Sequence, residues 1–463
     1  MRTMQILAGL LIIGFGAART SSAAEKPNPS TALRVQPNIL MILTDDQGWG
    51  DVSAYGAPDL KTPAIDALIA DGVRLDNFYA NCPVCSPTRA SLLSGRYPDL
   101  VGVPGVIRTR PTDSWGFLDP NAILIPKMLK KAGYHTAIVG KWHLGLASPS
   151  TPNEHGFDHF HGFLGDMMDD YWKHTRQGNH YMRLNDRDIR PTGHATDLFS
   201  DWAVDYIGKR GAPVAGKRQP WFCYLAYNAP HFPVQPPREW LEKVKKREEG
   251  IDGTRAKLVA FIEHMDAGIA RVIQALKDSG QYERTLIVFT SDNGGHQGSR
   301  ALVGPHRGFK QDMYEGGLAV PFGAVWHGRI RPGTTSDLVA ATMDLYPTFC
   351  EVAGVKIGHE IDGVSILPAL LGKQQTLDRS IVFVRREGNQ RYQGKAYHAL
   401  RRGPWKLVQN SPFEPYRLYN LESDPKEAND VAGKNRKVFG QLATELRAHL
   451  QKAGRVPWQA PGG

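Results

Sequence analysis

The sequence predicts an α/β fold in which a doubly wound, mostly parallel sheet is flanked by helices and followed by a smaller C-terminal α+β domain. Four apolar runs, at residues 39–44, 136–140, 221–227 and 286–291, indicate buried parallel strands. Runs that are apolar throughout are typical of strands covered on both faces. A helix is indicated at 258–277, where apolar residues follow one stripe and a glycine lies just beyond. Strands that alternate with helices favour a parallel sheet.

Polar residues come directly after each of these four strands. In chain order they are Asp45 and Asp46, then Lys141 and His143, then Asn228 and His231, then Asp292 and Asn293. Ligands of doubly wound sheets bind in the crevice beyond the carboxyl ends of the strands. We therefore expect the four polar clusters to lie at one rim of the sheet, around a single site.

The pattern changes after residue 371. Short alternating runs at 380–385, 397–401 and 405–408 predict strands, and a terminal helix is predicted over 435–452. We therefore divide the chain into three parts: an export segment at 1–24, the large domain that carries the site at 25–371, and a small α+β domain at 372–463.

The first 24 residues have the features of a secretory signal peptide. Arg2 precedes an apolar stretch at 6–15, and small residues at 22–24 precede Glu25. This order predicts cleavage before Glu25. The apolar stretch is shorter than the roughly 20 residues of a spanning helix, and no later segment reaches that length. We therefore expect a periplasmic or secreted protein without a membrane span.

Composition limits the classes of partner. The formal net charge of +10 at pH 7 favours anionic partners. Basic and acidic residues are interspersed, with no long Lys/Arg run and no zinc-finger spacing, so nucleic-acid binding has little support. The four cysteines of an exported chain of this size predict at most one disulfide.

The most informative stretch, residues 82–96, reads CPVCSPTRASLLSGR. Ser86 is a good helix N-cap and Pro87 a good first helical residue, so Cys85 is predicted to lie at a helix N-terminus. The free N–H groups and the helix dipole at that position favour an anion. Cys82 and Cys85 also have the C-x-x-C spacing of a redox pair. That alternative leaves the polar clusters at the strand ends unexplained.

This stretch resembles the C-x-P-x-R signature of the formylglycine-dependent (type I) sulfatases, an arylsulfatase-like family of the alkaline phosphatase superfamily. Cys85 alone fits, because Cys82 is followed directly by Pro83. In that family the cysteine is converted enzymatically to formylglycine, whose hydrated aldehyde supplies the attacking oxygen. Ala319 departs from the family pattern, which often has Arg at that position. Further segments resemble the family in its own order, at 37–48, 140–145, 229–231, 290–294, 310–317, 362–368 and 418–425.

The resemblance implies a metal site. Its ligands would be Asp45, Asp46, Asp292, Asn293 and an oxygen of the residue made from Cys85. An all-oxygen set suits Ca²⁺, with Mg²⁺ as second choice, rather than zinc. Either pair of adjacent polar residues alone is equally typical of a turn after a strand. The presence of both pairs in a chain that also carries Cys85 favours the metal.

The resemblance also implies catalytic roles. A sulfate ester is an anion, so attack by another anion requires positive charge around its oxygens. Lys141 and Lys310 would grip the sulfate oxygens, and Arg89 would steady the nucleophile and the metal ligands. His143 would handle the proton of the nucleophile, and His231 would protonate or hydrogen-bond the leaving oxygen.

The implied function is hydrolysis of a sulfate monoester on a small molecule or saccharide, after maturation by a formylglycine-generating or anaerobic sulfatase-maturating enzyme. A sulfated carbohydrate is favoured because the segment 151–194, with Trp172 and Arg176, is rich in aromatic and basic residues. Two alternatives stay open: a phosphonate or phosphodiester hydrolase of the same superfamily, and a sulfated-glycan binding protein whose Cys85 stays unmodified. Zinc phosphatases of the superfamily are disfavoured because Asn293 is not a histidine.

Overall fold

The computed structural model describes residues 36–211, 218–387 and 395–459. The predicted export segment at 1–24 therefore lies outside the described residues. None of the helices in the described ranges combines the length and the apolar character needed to cross a membrane.

A large mixed sheet lies at the centre of the fold. Its order across the sheet is β13-β2-β12-β11-β1-β10-β4-β5-β8-β9, and β3–β14 and β6–β7 form two small pairs beside it. These strands are, in chain order, β1 (Asn38–Thr44), β2 (Val73–Leu75), β3 (Phe78–Tyr79), β4 (His135–Lys141), β5 (His159–Phe163), β6 (Thr175–Arg176), β7 (Asn179–His180), β8 (Met182–Leu184), β9 (Arg187–Asp188), β10 (Trp221–Ala226), β11 (Thr285–Ser291), β12 (Phe322–Val325), β13 (Thr334–Ser336) and β14 (Ala340–Ala341).

Helices flank the sheet. They are α1 (Pro63–Ala70), α2 (Cys85–Ser94), α3 (Ile125–Leu129), α4 (Ala195–Gly211), α5 (Arg238–Arg247), α6 (Gly253–Asp278), α7 (Glu315–Leu318), α8 (Leu345–Val352), α9 (Leu367–Leu370) and α10 (Arg436–Ala453). The helix predicted at 258–277 is the greater part of α6. It begins earlier than predicted because the Asp252 side chain caps it, accepting hydrogen bonds from the backbone N–H groups of Thr254 and Arg255.

The four predicted strands form the middle of the sheet in the order β11-β1-β10-β4, and all three neighbouring pairs are parallel. In this register Met41 lies opposite both Tyr224 and Val288. Toward both edges the pairing becomes antiparallel, at β11–β12 and at β5–β8. The predicted α/β fold is confirmed, with a central parallel part inside a mixed sheet.

The apolar character of the central strands follows from burial on both faces. Every residue of β1 is buried. Ile39 and Met41 belong to the core on one face of the sheet, and Leu40 and Ile42 to the core on the other. Successive side chains of a strand point to opposite faces, so a strand covered by helices on both sides must be apolar at every position.

The C-terminal part forms a second, antiparallel sheet with the order β15-β16-β17-β18. One face packs against α10, with Leu407 and Leu446 in one core, and the other face packs against the large domain, with Phe383 and Leu318 in another. The three predicted strands and the terminal helix are confirmed, while the boundary near 372 stays a prediction. The strands are β15 (Ser380–Glu387), β16 (Lys395–Arg402), β17 (Trp405–Gln409) and β18 (Arg417–Asn420).

Lys406 of β17 links the small sheet to the large domain by charge. Its Nζ donates to Glu315 Oε1 at 2.7 Å and lies 2.9 Å from Glu427 Oε1, and all three residues are buried. Burial raises the pKa of Glu427 to about 7. The ionised form of Glu427 therefore depends on the cation of Lys406.

We predict that Lys406→Ala lowers the free energy of unfolding, measured by urea titration, by about 3–5 kcal/mol. The substitution removes the cation next to two buried carboxylates, of which Glu315 keeps Arg401 at 3.6 Å. The control is Lys452→Ala, which removes a surface ion pair with Glu360, 2.7 Å away, and should leave stability unchanged within error. Equal effects of the two substitutions would contradict the prediction.

Candidate active site

The predicted polar residues converge at the carboxyl ends of the central strands. Backbone hydrogen bonds join neighbouring strand ends there: Asp45 N donates to Ala229 O at 3.1 Å, and Asp292 N donates to Thr44 O at 3.1 Å. A further bond runs from Asp46 N to Asp292 Oδ1 at 3.2 Å. The crevice expected beyond the strand ends therefore contains all four clusters.

Helix α2 brings Cys85 to this crevice. Cys85 is the first residue of the helix, as predicted, and Val84, in an extended conformation, is its N-cap. The prediction that Ser86 caps the helix is wrong. Ser86 lies inside the first turn, where its hydroxyl accepts a hydrogen bond from Ile107 N at 3.1 Å. The side chain therefore ties a neighbouring loop to the helix start.

The two cysteines of the C-x-x-C spacing are not joined by a disulfide. All four cysteines of the chain lie in the described ranges, and each is a free, buried thiol. The Cys82 thiol donates to Val384 O at 3.2 Å, so it faces the C-terminal sheet. Burial raises the pKa of both Cys82 and Cys85, whereas a redox cysteine needs its thiolate stabilised.

An ion-pair network lies beneath Cys85. Arg89 donates to Asp292 Oδ2 through Nε at 3.0 Å and through Nη2 at 2.7 Å. Lys141 Nζ donates to Asp45 Oδ2 at 2.5 Å. All four side chains are fully buried. Although burial alone raises the pKa of Asp45, the charges of Lys141, His231 and Arg89 bring it well below its usual range.

Asp46 is the second centre of charge. Lys310 Nζ lies 2.6 Å from Asp46 Oδ1, and Asn293 Nδ2 donates to the same oxygen at 2.8 Å. The same Nζ lies 3.6 Å from Cys85 Sγ, and His231 Nε2 lies 3.6 Å from Asp46 Oδ2. The backbone of Asp46 has φ of 66°, an uncommon conformation for a residue with a Cβ. This conformation marks Asp46 as a constrained position at the site.

The donor atoms fit a hard metal ion. Side-chain ligand atoms of Asp45, Asp46, Cys85 and His231 all lie within 4.8 Å of one another. Asp45 Oδ1 and Asn293 Oδ1 are buried and have no hydrogen-bond partner. Buried carbonyl and carboxylate oxygens without donors need another positive partner, and several such oxygens together suit Ca²⁺ or Mg²⁺. Burial, followed by the charge of Asp45, raises the pKa of Asp292 to about 7, so a cation would favour its ionised form.

A cleft of about 320 Å³ opens above the metal ligands. Five of the predicted residues line it: Asp46, Cys85, His143, His231 and Lys310. The other five, Arg89, Lys141, Asp45, Asp292 and Asn293, are buried beneath it. Lys141, predicted to grip a substrate oxygen, donates to Asp45 here, and its role toward a substrate stays a prediction. Five of the predicted residues are thus at the surface of the cleft, and the other five are buried below it.

Other residues of the cleft were missed from the sequence. They are Arg108, Asp166, His296 and Arg385, with Arg108 and Arg385 paired to Glu387 at 2.5 and 3.1 Å. His296 had a signal, because it follows Asp292 by four residues. Arg385 had none, because β15 of the C-terminal sheet carries it to the cleft through tertiary packing. With Lys310 and Arg176, Arg108 and Arg385 give the cleft wall four basic side chains, against the carboxylates of Asp46 and Asp166.

Only part of the segment 151–194 lies at the cleft. Arg176 lines the cleft, and its Nε donates to Asp166 Oδ1 at 2.8 Å. Trp172 does not line the cleft. Its side chain is 44% exposed and packs edge-on against His194, with ring centroids 4.7 Å apart. Of these two residues, Arg176 therefore lies at the cleft and Trp172 lies outside it.

The two predicted histidines are oriented by backbone carbonyls. His143 Nε2 donates to Ile107 O at 2.9 Å, which assigns its proton and leaves the buried Nδ1 as an acceptor without a partner. Burial, with the charge of Lys141, holds the pKa of His143 well below its usual value. His231 Nδ1 donates to Phe232 O at 2.6 Å, which turns Nε2 toward Asp46. His143 is thus set up as a proton acceptor and His231 is held beside the carboxylates.

Comparisons with known proteins agree on one family. The family model described as Sulfatase matches residues 37–355, and the model described as N-sulphoglucosamine sulphohydrolase, C-terminal, matches residues 304–455. The N-acetylgalactosamine-6-sulfatase of Canis lupus familiaris is 34% identical over 78% of this chain and 70% of its own length. Arylsulfatase J of Mus musculus is 33% identical over 74% of this chain and 57% of its own length.

A solved structure extends this similarity to three dimensions. The crystal structure of Ps i-CgsB in complex with k-i-k-neocarrahexaose is 30% identical, with a TM-score of 0.82, over 92% of this chain and 96% of that chain. The Sulfatase model covers more than half of the chain, including every predicted site residue. The chain therefore belongs to the sulfatase family and is a sulfate ester hydrolase.

Proposed function

We propose that this sulfatase removes sulfate from a sulfated carbohydrate, with a formylglycine made from Cys85 as nucleophile and one Ca²⁺ beside it. The observation that carries the proposal is the position of Cys85, which begins a buried helix, lies next to Lys310 and opens into a cationic cleft. A sulfate group is a permanent anion, and Lys310, Arg108, Arg176 and Arg385 supply the charge to hold it.

The nucleophile is residue 85 after conversion by a maturation enzyme, which replaces the thiol with a hydrated aldehyde oxygen. The N-terminus of α2 directs unsatisfied N–H groups and a positive dipole toward the anion that reacts there. Lys310 holds a sulfate oxygen beside residue 85, and His143 accepts a proton at its free Nδ1. His231 in its imidazolium form, which the Asp46 carboxylate 3.6 Å away favours, donates the Nε2 proton to the leaving alcohol oxygen, while Nδ1 keeps its hydrogen bond to Phe232 O.

Asp45, Asp46, Asp292 and Asn293 would hold the metal, which would supply positive charge against the sulfate. Arg89 and Lys141 are buried beneath the cleft. They pair with Asp292 and Asp45 respectively and keep the buried carboxylates in place. Catalysis in this arrangement comes mainly from fixed positions and charge neutralisation, as in phosphoryl transfer.

The support for a carbohydrate substrate is the open, cationic cleft together with the relatives of the chain. These include a sulfatase of N-acetylgalactosamine and a structure bound to neocarrahexaose. The protein acts in the periplasm or outside the cell. The support for that location is the order of a charged residue, an apolar stretch and small residues within 1–24.

We predict sulfate release from at least one member of a panel of N-acetylgalactosamine 6-sulfate, chondroitin sulfate and carrageenan oligosaccharides, and 4-nitrophenyl sulfate. Cys85→Ala should abolish release, because no nucleophile can form. Peptide mass spectrometry should find formylglycine at residue 85 of the active protein. The control, Cys82→Ala, removes only the thiol bond to Val384 O and should retain turnover. Faster cleavage of bis(4-nitrophenyl) phosphate than of every sulfate would favour the phosphodiesterase alternative.

We predict one Ca²⁺ per chain by elemental analysis after dialysis. Asp292→Ala should lose the ion, because it removes one of three adjacent carboxylate ligands. The control is Asp99→Ala, a buried carboxylate bound to His449 at 3.0 Å away from the cleft, which should keep full stoichiometry. Chelator should abolish turnover, and Ca²⁺ should restore it better than Mg²⁺. Full turnover of metal-free protein would contradict the assignment.

Tyr171 fixes the turn that carries His231. Its buried hydroxyl donates to Asn228 O at 2.8 Å and to His231 O at 3.0 Å. Its backbone N donates to Gln235 Oε1 at 2.9 Å. The turn is therefore held from both sides of His231 by one residue of the segment 151–194.

We predict that Tyr171→Phe lowers kcat more for sugar sulfates than for 4-nitrophenyl sulfate, because a sugar alcohol needs a proton to leave and a nitrophenolate does not. Stability should also fall by about 1–3 kcal/mol, the penalty for buried carbonyls without donors. Tyr134→Phe is the control: its hydroxyl donates to Pro37 O at 2.7 Å, so stability should fall and kcat should not. A substrate-independent decrease in kcat would contradict the role of Tyr171.

A further inference from the structure

A second hollow adjoins the catalytic cleft. Its volume is about 490 Å³, larger than the 320 Å³ of the cleft, and Arg108 lines both. Ile107, whose carbonyl accepts the hydrogen bond from His143, lines it as well. We call this hollow the tail groove, because the C-terminal residues Trp458 and Gln459 form one of its walls. The tail groove and the catalytic cleft thus share Arg108 as a lining residue.

The wall of the tail groove is apolar with a rim of hydroxyl groups. Phe117, Leu146 and Trp458 supply apolar surface, and Thr109 and Ser148 are among the residues that supply hydroxyls. Among the described residues that line it, Arg108 is the charged one, and Arg108 pairs with Glu387 at 2.5 Å. An apolar surface with a few hydroxyl groups is the wall of a site for a neutral polar ring. Apart from Arg108, which lines both hollows, the described lining residues of the tail groove are uncharged.

Trp458 is held in a defined orientation. Its ring stacks on Trp115 with centroids 4.4 Å apart and 12° between the planes. Trp115 is itself anchored, because its backbone N donates to Val106 O at 2.9 Å. The chain before Trp458 packs closely on Gly102, where a Cβ would lie 2.8 Å from Pro457 O. An aromatic face fixed by packing can stack against a ligand ring with little loss of side-chain entropy.

We propose that the tail groove binds the uncharged sugar unit next to the sulfated unit of a glycan, stacked on Trp458, so that the enzyme prefers substrates of two or more sugar units. This inference rests on the proposed carbohydrate function. The sulfated unit occupies the catalytic cleft among Lys310, Arg176 and Arg385. The chain then passes Arg108 and continues into the tail groove.

The test compares kcat/KM on three substrates: the best sulfated oligosaccharide of the panel, the matching monosaccharide sulfate, and 4-nitrophenyl sulfate. Trp458→Ala should lower the oligosaccharide value by roughly three- to tenfold, the loss expected for one stacked ring, and leave the other two unchanged. Ala147→Trp, which fills the exposed side of the groove, should reduce the oligosaccharide value selectively without deleting packing. The control is Trp172→Ala, an exposed indole that lines neither hollow.

The pattern of kcat/KM over the three substrates distinguishes failure of the subsite from failure of the proposed carbohydrate function. If the wild type cleaves the monosaccharide sulfate as well as the oligosaccharide, and both groove variants leave the ratio unchanged, the tail groove is not a subsite while the sulfatase function stands. Equal loss on all three substrates would also overturn the subsite, because it would indicate damage to the catalytic cleft. If no sugar is cleaved while 4-nitrophenyl sulfate is, both the carbohydrate function and the subsite are wrong.

Discussion

Three carboxylates buried side by side impose the main constraint on this molecule. Asp45, Asp46 and Asp292 lie at the ends of adjacent parallel strands, and all three are buried. Such a cluster is tolerated only because Arg89, Lys141 and Lys310 pair with it and because its free oxygens can hold a metal ion. The rest of the site is arranged around this balance of charge.

The parallel centre of the sheet makes this cluster possible. Strands β1, β10 and β11 end at one edge, and their backbone hydrogen bonds continue into the first residues of the loops. The acidic side chains are therefore held by the sheet itself. Helix α2 then adds Cys85 from above, at the end of the helix where an anion is favoured. Rigid elements thus position Cys85 and the acidic cluster, while loops supply most of the cleft wall.

The small C-terminal sheet completes the active site as well as the core. Its strand β15 carries Arg385 to the cleft, and Glu387 on the same strand pairs with both Arg385 and Arg108. The chain end returns to the same region, where Trp458 stacks on Trp115. The walls of the two hollows therefore include parts of the chain that are distant from the signature segment.

Sequence alone determined the parts of this protein that depend on local pattern. Continuous apolar runs identified β1, β4, β10 and β11, because a strand covered on both faces has no polar position. Residues directly after those strands could be assigned to one site, because parallel strands end at a common edge. Tertiary structure decided what depends on packing between distant segments. Ser86 binds Ile107 instead of capping its helix, Lys141 is committed to Asp45, Trp172 lies outside the cleft, and Arg385 lies inside it. The direction of a loop side chain is set by neighbours far away in the chain, and no local periodicity encodes those neighbours.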